Sequence, residues 1–541
     1  MRIIGHGGDH VMAALAPFGV RELFTLSGGH IFPLYDAAVK RGDVTLYDVR
    51  HEQTAVFAAE ALAKLTRRPG VAAVTAGPGV TNSVSAVTTA WFNGAPLVVL
   101  GGRAPENRWG SGSLQELDHV PILAPVTKRS LTARGGDDLA TVTYRAVQQA
   151  MTPHRGPVFV DYPMDVLFSE GTGVVPGEPM PAGAAPDPGG VAAVAAMVST
   201  ASRPAVLVGT DVYWDGAWDA LRAWVEAQRL PTFANGLGRG CLPADHELFF
   251  SRTRGRLRTD ADLVIVAGTP LDFRLSFGRF GDARVVHLTD SAASVSTHTE
   301  PAASVSGDLV RVLRALAGGP SPAHPNERGR WVAELRDAEE EARLGEEGLL
   351  AAATEPILPT RVYGELRRLL DRDAVVIGDG GDFVSYAGRF VDSHRPGHWL
   401  DPGPYGCLGT GLGYAMAARV AHPDRQVVLL LGDGAAGFSL MDADSLVRHN
   451  LAVAIVVGNN GCWGLEKHPM RQIYGYDVAA DLQPGCRYDQ VVSALGGAGE
   501  TVERPDAIAP ALKRALNAGV PYLVNIICDP EHAYPRRSNL G

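Results

Sequence analysis

At 541 residues the chain is too long for one hydrophobic core, and about three domains of ordinary size are expected. Its composition, 46% hydrophobic and 20% charged, is that of a globular protein, and a net charge of −10 argues against a surface built for nucleic acid or an anionic membrane. Five cysteines (Cys241, Cys407, Cys462, Cys486, Cys528) are dispersed without CxxC spacing, which predicts reduced thiols in a cytoplasmic protein rather than a disulfide framework or a zinc site.

The stretch that opens at Met1 has no apolar core of the kind a secretory signal carries, and no run is long enough to span a membrane. Short apolar runs at 23–26, 44–48, 70–75, 96–100 and 157–161 read as buried strands, with a helix over 54–66. Residues 171–190, dense in Gly, Pro and Ala, read as a linker. A second block has strands at 204–209, 262–268 and 284–288 and an amphipathic helix over 218–229. A second linker, 318–329, precedes a charged stretch at 331–353 that reads as a solvated connecting helix. The third block begins near Pro356, with strands at 374–377, 425–431 and 451–457 and helices at 412–421 and 441–450. The fold class is α/β: three domains in series, 1–170, 190–318 and 355–541, each a mostly parallel sheet flanked by helices.

Asp433, in Gly432-Asp433-Gly434-Ala435, falls just past one of these strands, and Asn460 falls just past the next, 27 positions later. A βαβ unit thereby carries one oxygen ligand at the carboxyl end of each strand. Two hard oxygen ligands beside glycines that expose backbone N–H groups suit a Mg²⁺ ion bridging a diphosphate. The backbone carbonyl of Cys462 is expected to join them. Alone, Gly-Asp-Gly is also a tight turn with aspartate as a helix cap; the Asn459-Asn460 pair at this spacing gives it weight. Gly378-Asp379-Gly380-Gly381-Asp382 forms a second glycine loop, which reads equally as a phosphate-side loop or a strand-to-helix turn. Glu52 follows the strand 44–48 and opens a helix, where a carboxylate is ordinarily a dipole contact.

Taken together these motifs resemble the thiamine diphosphate (ThDP) enzymes. The chain is similar over essentially its whole length to the family of acetolactate synthases, benzaldehyde lyase, 2-hydroxyacyl-CoA lyases and oxalyl-CoA decarboxylase. The likeness rests on Arg50-His51-Glu52-Gln53, Ala76-Gly77-Pro78-Gly79-Val80-Thr81-Asn82, Leu114-Gln115-Glu116, Thr127-Lys128, Gly156-Pro157-Val158 and the Gly-Asp-Gly…Asn-Asn pair. The resemblance implies pyrimidine-binding, middle and diphosphate-binding domains, and active sites shared across a homodimer, often within a homotetramer. It implies that Glu52 holds N1′ of the cofactor's aminopyrimidine so that the cofactor removes its own C2 proton. It implies that the Gly406 carbonyl accepts from N4′, that Leu408 wedges beneath the cofactor, and that Gln115 faces the substrate. His30 sits where benzaldehyde lyase also has a histidine, suited to proton relay. Trp463, Glu466, Lys467 and His468 are expected at the mouth.

The implied reaction makes or breaks a C–C bond through a C2α carbanion/enamine. Two readings follow: cleavage or formation of a 2-hydroxy ketone or 2-hydroxyacyl-CoA, and a pyruvate-decarboxylating carboligase of the acetolactate synthase type. Gln115-Glu116-Leu117-Asp118 favours the second. Two departures favour the first: Met164 stands where acetolactate synthases usually have lysine, and Gly461-Cys462-Trp463-Gly464 replaces their Gln-Gly-Met-Val segment. The tail from Ala533, with Arg536 and Arg537, resembles only in part the C-terminal lid of the CoA-using members. Gly268-Thr269-Pro270-Leu271-Asp272-Phe273-Arg274 loosely resembles a FAD-contacting segment and leaves FAD, ADP or CoA open for the middle domain.

Overall fold

Buried apolar strands separated by helices leave no solvated sheet face, and the chain accordingly builds parallel sheets with central strands enclosed on both sides. The computed structural model describes residues 1–136 and 138–535, so Arg536 and Arg537 lie outside the described residues. The first sheet runs in the order Thr45–Asp48, Glu22–Thr25, Gly70–Val74, Leu97–Arg103, Val158–Pro163, Arg129–Thr132. The third runs Trp399–Leu400, Val375–Asp379, Val427–Gly432, Ala454–Asn459, Tyr522–Ile527, Ala498–Val502. The middle sheet orders Thr232–Ala234, Pro204–Val208, Leu263–Ala267, Arg284–Thr289 and Ala303–Ser306. Pairing of Gly432 with Gly458 brings two strands to the sheet edge at one level, so Asp433 and Asn460 emerge side by side.

Several expectations need correction. Residues 171–190 are not all linker: Glu170–Val174 pairs antiparallel with Arg2–His6, and a helix starts at Pro188. Backbone pairing of this kind needs no apolar pattern. The second linker gives way at Pro325 to the helix Pro325–Leu350, whose first position suits proline. That helix is not merely solvated. Trp331 and Leu335 are fully buried, and the Arg328 guanidinium donates to the carbonyls of Ala201 (3.1 Å) and Gln228 (2.7 Å). The helix expected at 441–450 is replaced by Asp433–Ser439 and Ala443–Arg448 around a 3₁₀ turn.

The first and third domains are locked together. The helix Glu52–Thr66 packs along Gly411–Ala421, and a buried polar network crosses the seam. Lys64 Nζ lies 2.8 Å from Glu60 and donates to the Tyr414 hydroxyl at 2.7 Å; Tyr414 donates to the other Glu60 oxygen at 2.8 Å, and Asn93 to the first at 2.8 Å. Removing one partner would strand a buried charge at about 3–5 kcal/mol. The network ties the helix that opens with Glu52 to the helix that follows Gly406–Leu408.

Candidate active site

The third sheet's carboxyl edge forms a cavity lined by Gly381, Asp382, Leu408, Asp433, Asn460 and Trp463 among others, all from the third domain. Asp433 opens its helix and is buried; its Oδ2 accepts from the Gly461 amide at 2.7 Å and its Oδ1 from Gly434 at 3.0 Å. Asn460 Oδ1 accepts from the Cys462 amide at 3.2 Å. The neighbouring Asn459 turns away, donating to Asn525 (3.1 Å) and the Cys486 carbonyl (3.0 Å), so the two asparagines have separate tasks. Gly432, Gly434, Ala435 and Cys462 complete the floor. The Cys462 thiol is buried and pushed up to about 11, which leaves its sulfur neutral.

Burial pushes the Asp433 carboxyl up to about 6, because only backbone amides compensate its charge. Two hard oxygen donors, one a carboxylate short of positive charge, beside glycine amides fit a small dication holding a diphosphate. Among the described residues no lysine or arginine lines this cavity. The charge of a bound diphosphate would therefore be met by the metal and backbone N–H groups.

Gly380 has φ +60°, and a β-carbon there would lie 1.8 Å from Leu408, which presses against this loop. Its neighbour Asp379 is buried and turned back: it accepts from the amides of Gly409 (3.1 Å) and Gly411 (2.8 Å), pinning the segment that carries Leu408. Burial raises its carboxyl to about 6. Gly406 is exposed, in a left-handed turn outside the cavity lining. Trp463 and Glu466 line the cavity; Lys467 does not, being paired with Asp481, and His468 lies off the lining. Asp382, the last residue of the Gly380 loop, lines the cavity and accepts from the Tyr534 amide at 2.9 Å.

The first sheet's carboxyl edge gathers the other candidates. Glu52 is buried at the first position of its helix, capped by His51, whose Nδ1 accepts from Gln53 at 3.1 Å. Asp442 grips that helix start, accepting from the Arg50 amide (2.7 Å) and the Thr54 hydroxyl (2.6 Å). Asn82 donates to Glu52 Oε2 at 3.0 Å. Buried His30 lies 3.1 Å from Thr75 Oγ1, and burial lowers its pKa, favouring the neutral imidazole. Gln115 has φ +58°, a conformation that non-glycine residues rarely adopt, and it abuts Gly77. Glu52, His30 and Gln115 thus share one edge and none of them lines the cavity that holds Asp433.

A separate cavity of ≈ 560 Å³ lies between the first and middle domains, lined by Trp91, Phe92, Lys128, His154, Arg155 and the segment Thr269 to Asp272. His154 Nδ1 lies 3.2 Å from both Asp290 oxygens and 3.5 Å from Asp211. Burial opposes its charge, but these carboxylates outweigh it and raise its pKa to about 9. Burial lowers Lys128 to about 8 and raises Asp211 to about 8.

Comparison with known proteins agrees with this architecture. Residues 5–122 match the family described as thiamine pyrophosphate enzyme, N-terminal TPP binding domain; 191–316 match its central domain and 379–526 its C-terminal TPP binding domain. The chain is 50% identical to a Mycobacterium tuberculosis protein named acetolactate synthase large subunit IlvG, over 99% of this chain and 98% of that one. It is 35% identical to 2-hydroxyacyl-CoA lyase 2 of Caenorhabditis elegans (93% and 85% covered) and 34% to that of Homo sapiens (97% and 90%). Among the described residues no helix is long and apolar enough to cross a membrane.

Proposed function

The chain belongs to the thiamine pyrophosphate enzyme family, and on that premise we propose that it is a ThDP- and Mg²⁺-dependent lyase or carboligase that cleaves or forms a 2-hydroxy ketone or a 2-hydroxyacyl-CoA. Bound in the cavity, the cofactor supplies a carbon nucleophile and an electron sink for C–C bond cleavage. Asp433, Asn460 and the Cys462 carbonyl would hold the metal, and the loops at Gly432 to Ala435 and at Gly380 and Gly381 would meet the diphosphate. Leu408 and Gly406 hold the organic part. Glu52, oriented by Asn82, would hold a proton at the cofactor's N1′ ring nitrogen. Neutral His30 moves a proton at the substrate oxygen, and Gln115 positions the substrate, with Trp463, Glu466 and His468 at the mouth.

Glu52 does not line its own chain's Asp433 cavity. The enzyme is therefore a homodimer in which Glu52 of the partner subunit faces that cavity, and the family resemblance extends this to a homotetramer. Exposed Phe438 and Met441 beside the cavity, with the stacked pair Phe92 and Tyr405, offer the apolar surface such an interface needs.

The observation that carries the lyase reading is Gly461-Cys462-Trp463-Gly464 in place of the Gln-Gly-Met-Val segment of acetolactate synthases, together with Met164 in place of a lysine. A 2-oxo acid brings a carboxylate that wants such a cation. The second reading, an acetolactate synthase-type decarboxylating carboligase acting on pyruvate, is favoured by the 50% identity to a protein of that name. NMR of the holoenzyme with pyruvate in one tube and a 2-hydroxyacyl-CoA in another separates them. Aldehyde and formyl-CoA from the thioester support the first reading; acetolactate or acetoin from pyruvate overturns it in favour of the second. The ≈ 560 Å³ cavity, with Lys128, His154 and Arg155 in its wall, suits FAD, ADP or CoA. Mass spectrometry of the native protein tests for each.

A further inference from the structure

A buried chain of groups runs from Arg103 to the backbone of Gly77. Arg103 stacks on Trp109 (3.9 Å to the ring centroid) and donates to Asp118 (3.2 Å) and to Asp161 Oδ2 (3.0 Å). The same Asp161 oxygen lies 2.9 Å from His119 Nδ1. His119 Nε2 lies 2.9 Å from the Gly77 nitrogen, whose N–H points at it. His119 and Asp161 are fully buried.

The protonation pattern follows from the donors. A backbone N–H can only donate, so Nε2 of His119 must carry its lone pair, and the ring proton must sit on Nδ1, facing Asp161. Asp161 thus fixes the tautomer, and Arg103 fixes Asp161. The same logic orients metal-binding histidines through their outer partners. An apolar residue could fill this site, but it would leave the Gly77 amide buried without an acceptor.

That amide sits in a turn with little freedom. Gly77 has φ 59° and ψ −111°, and a β-carbon there would come within 2.9 Å of the Gln115 β-carbon. Its carbonyl accepts from Val80 (3.1 Å) and Thr81 (3.0 Å), so both faces of the turn are fixed, one by His119 and one by the short helix Pro78–Thr81. The next residue, Asn82, holds Glu52. The turn also abuts Gln115, itself held at φ +58°.

We propose that His119 is a positioning residue of the active site: by accepting from the Gly77 amide it sets the turn 77–82, so that Asn82 holds the Glu52 carboxylate and Gln115 keeps its place against the substrate. The inference rests on the proposed activating role of Glu52.

The test compares His119→Met, of similar volume without an acceptor, with His119→Gln, whose amide oxygen can accept from Gly77. One readout is the rate at which bound ThDP exchanges its C2 proton for deuterium. The other is amide hydrogen exchange of segment 76–83 in the cofactor-free protein. His119→Met is expected to slow C2 exchange by about tenfold to a hundredfold, as small misplacements of catalytic groups do. It should also deprotect segment 76–83, with ThDP affinity close to wild type. His119→Gln is expected to restore both readouts. C2 exchange at the wild-type rate in His119→Met, unchanged protection of 76–83, or failure of glutamine to rescue overturns the proposal. Should His119→Met not fold, Asn82→Ala, at an exposed position, must show the same slowing, and a wild-type rate there overturns it. Glu52→Gln separates the two levels. Retained C2 exchange in that variant removes the role of Glu52, whereas lost exchange there with normal exchange in His119→Met removes only the role of His119.

Discussion

The first and third domains share one strand order, 2-1-3-4-6-5 when strands are counted within each six-stranded sheet, yet their carboxyl edges carry different chemistry. In the third sheet the residues just past strands 1, 3 and 4 are Gly380, Asp433 and Asn460: glycines and hard oxygens, suited to a metal and phosphates. In the first sheet the corresponding loops hold His30, the Gly77 turn and Gln115, while strand 2 leads to Glu52. Of these, His30, Gln115 and Glu52 are side chains suited to moving or orienting protons. The middle sheet begins with the same 2-1-3-4 order, and its carboxyl edge places Asp211 and Asp290 beside His154 at the cavity that opens against the first domain. One scaffold thus carries two different sets of groups at its carboxyl edges, hard oxygens among glycine amides on one and a carboxylate, an imidazole and an amide side chain on the other.

That division can be broken at four points. The largest effect is expected at Asp433. Asp433→Ala should abolish Mg²⁺-dependent ThDP binding by calorimetry, and undiminished affinity would remove the third sheet from the binding role. Next, Glu52→Gln should lower turnover by about 10²–10⁴-fold, the usual range for a lost proton-transfer group. ThDP should stay bound, since the metal and diphosphate contacts proposed for the third sheet are left intact. Loss of binding in that variant would blur the contrast.

Third, Lys64→Met should destabilise the fold by about 3–5 kcal/mol in denaturant unfolding, because Glu60 is left buried without its cation. A shift below about 1 kcal/mol, the value of an exposed pair, would mean the seam between the two sheets is held by apolar packing alone. The smallest effect concerns the middle domain. His154 has its pKa raised to about 9 by Asp211 and Asp290. A raised folded-state pKa means the stabilisation is fully present below the unfolded value near 6.5 and is lost as pH rises through about 9. Unfolding measured from pH 6 to 10 should show this loss in the wild type and a flatter profile in His154→Gln.

The sequence made the third-domain edge legible because its ligands follow long, fully apolar strands at a fixed spacing. Asp433 and Asn460 could be placed from Val427–Gly432 and Ala454–Asn459 alone. Shorter or more polar strands gave no such signal. Arg129–Thr132, Ala303–Ser306 and Trp399–Leu400 are held by long-range pairing rather than by an apolar run. Arg2–His6 finds its partner at Glu170–Val174, inside a segment whose composition reads as linker. Asp379 read as part of a phosphate loop because its glycine neighbours dominate the pattern; only the fold reveals that it turns back to Gly409 and Gly411. Asn82 was legible as part of a motif, but its bond to Glu52 spans thirty positions and has no periodic trace. The chain from Arg103 to His119 is hidden for the same reason, since its members lie on different loops and meet only at the sheet edge.

The claim that the third sheet binds while the first sheet of a partner activates is tested most directly with a hybrid dimer. Glu52→Gln and Asp433→Ala subunits, carrying different tags, are co-expressed, the heterodimer is purified, and C2 proton exchange of bound ThDP is measured. If the sites are shared, one site of each hybrid pairs an intact Asp433 with an intact Glu52 of the partner subunit, and exchange returns although both parent homodimers lack it. If each subunit completes its own site, every site in the hybrid carries one defect, and a hybrid as silent as its parents would contradict the account.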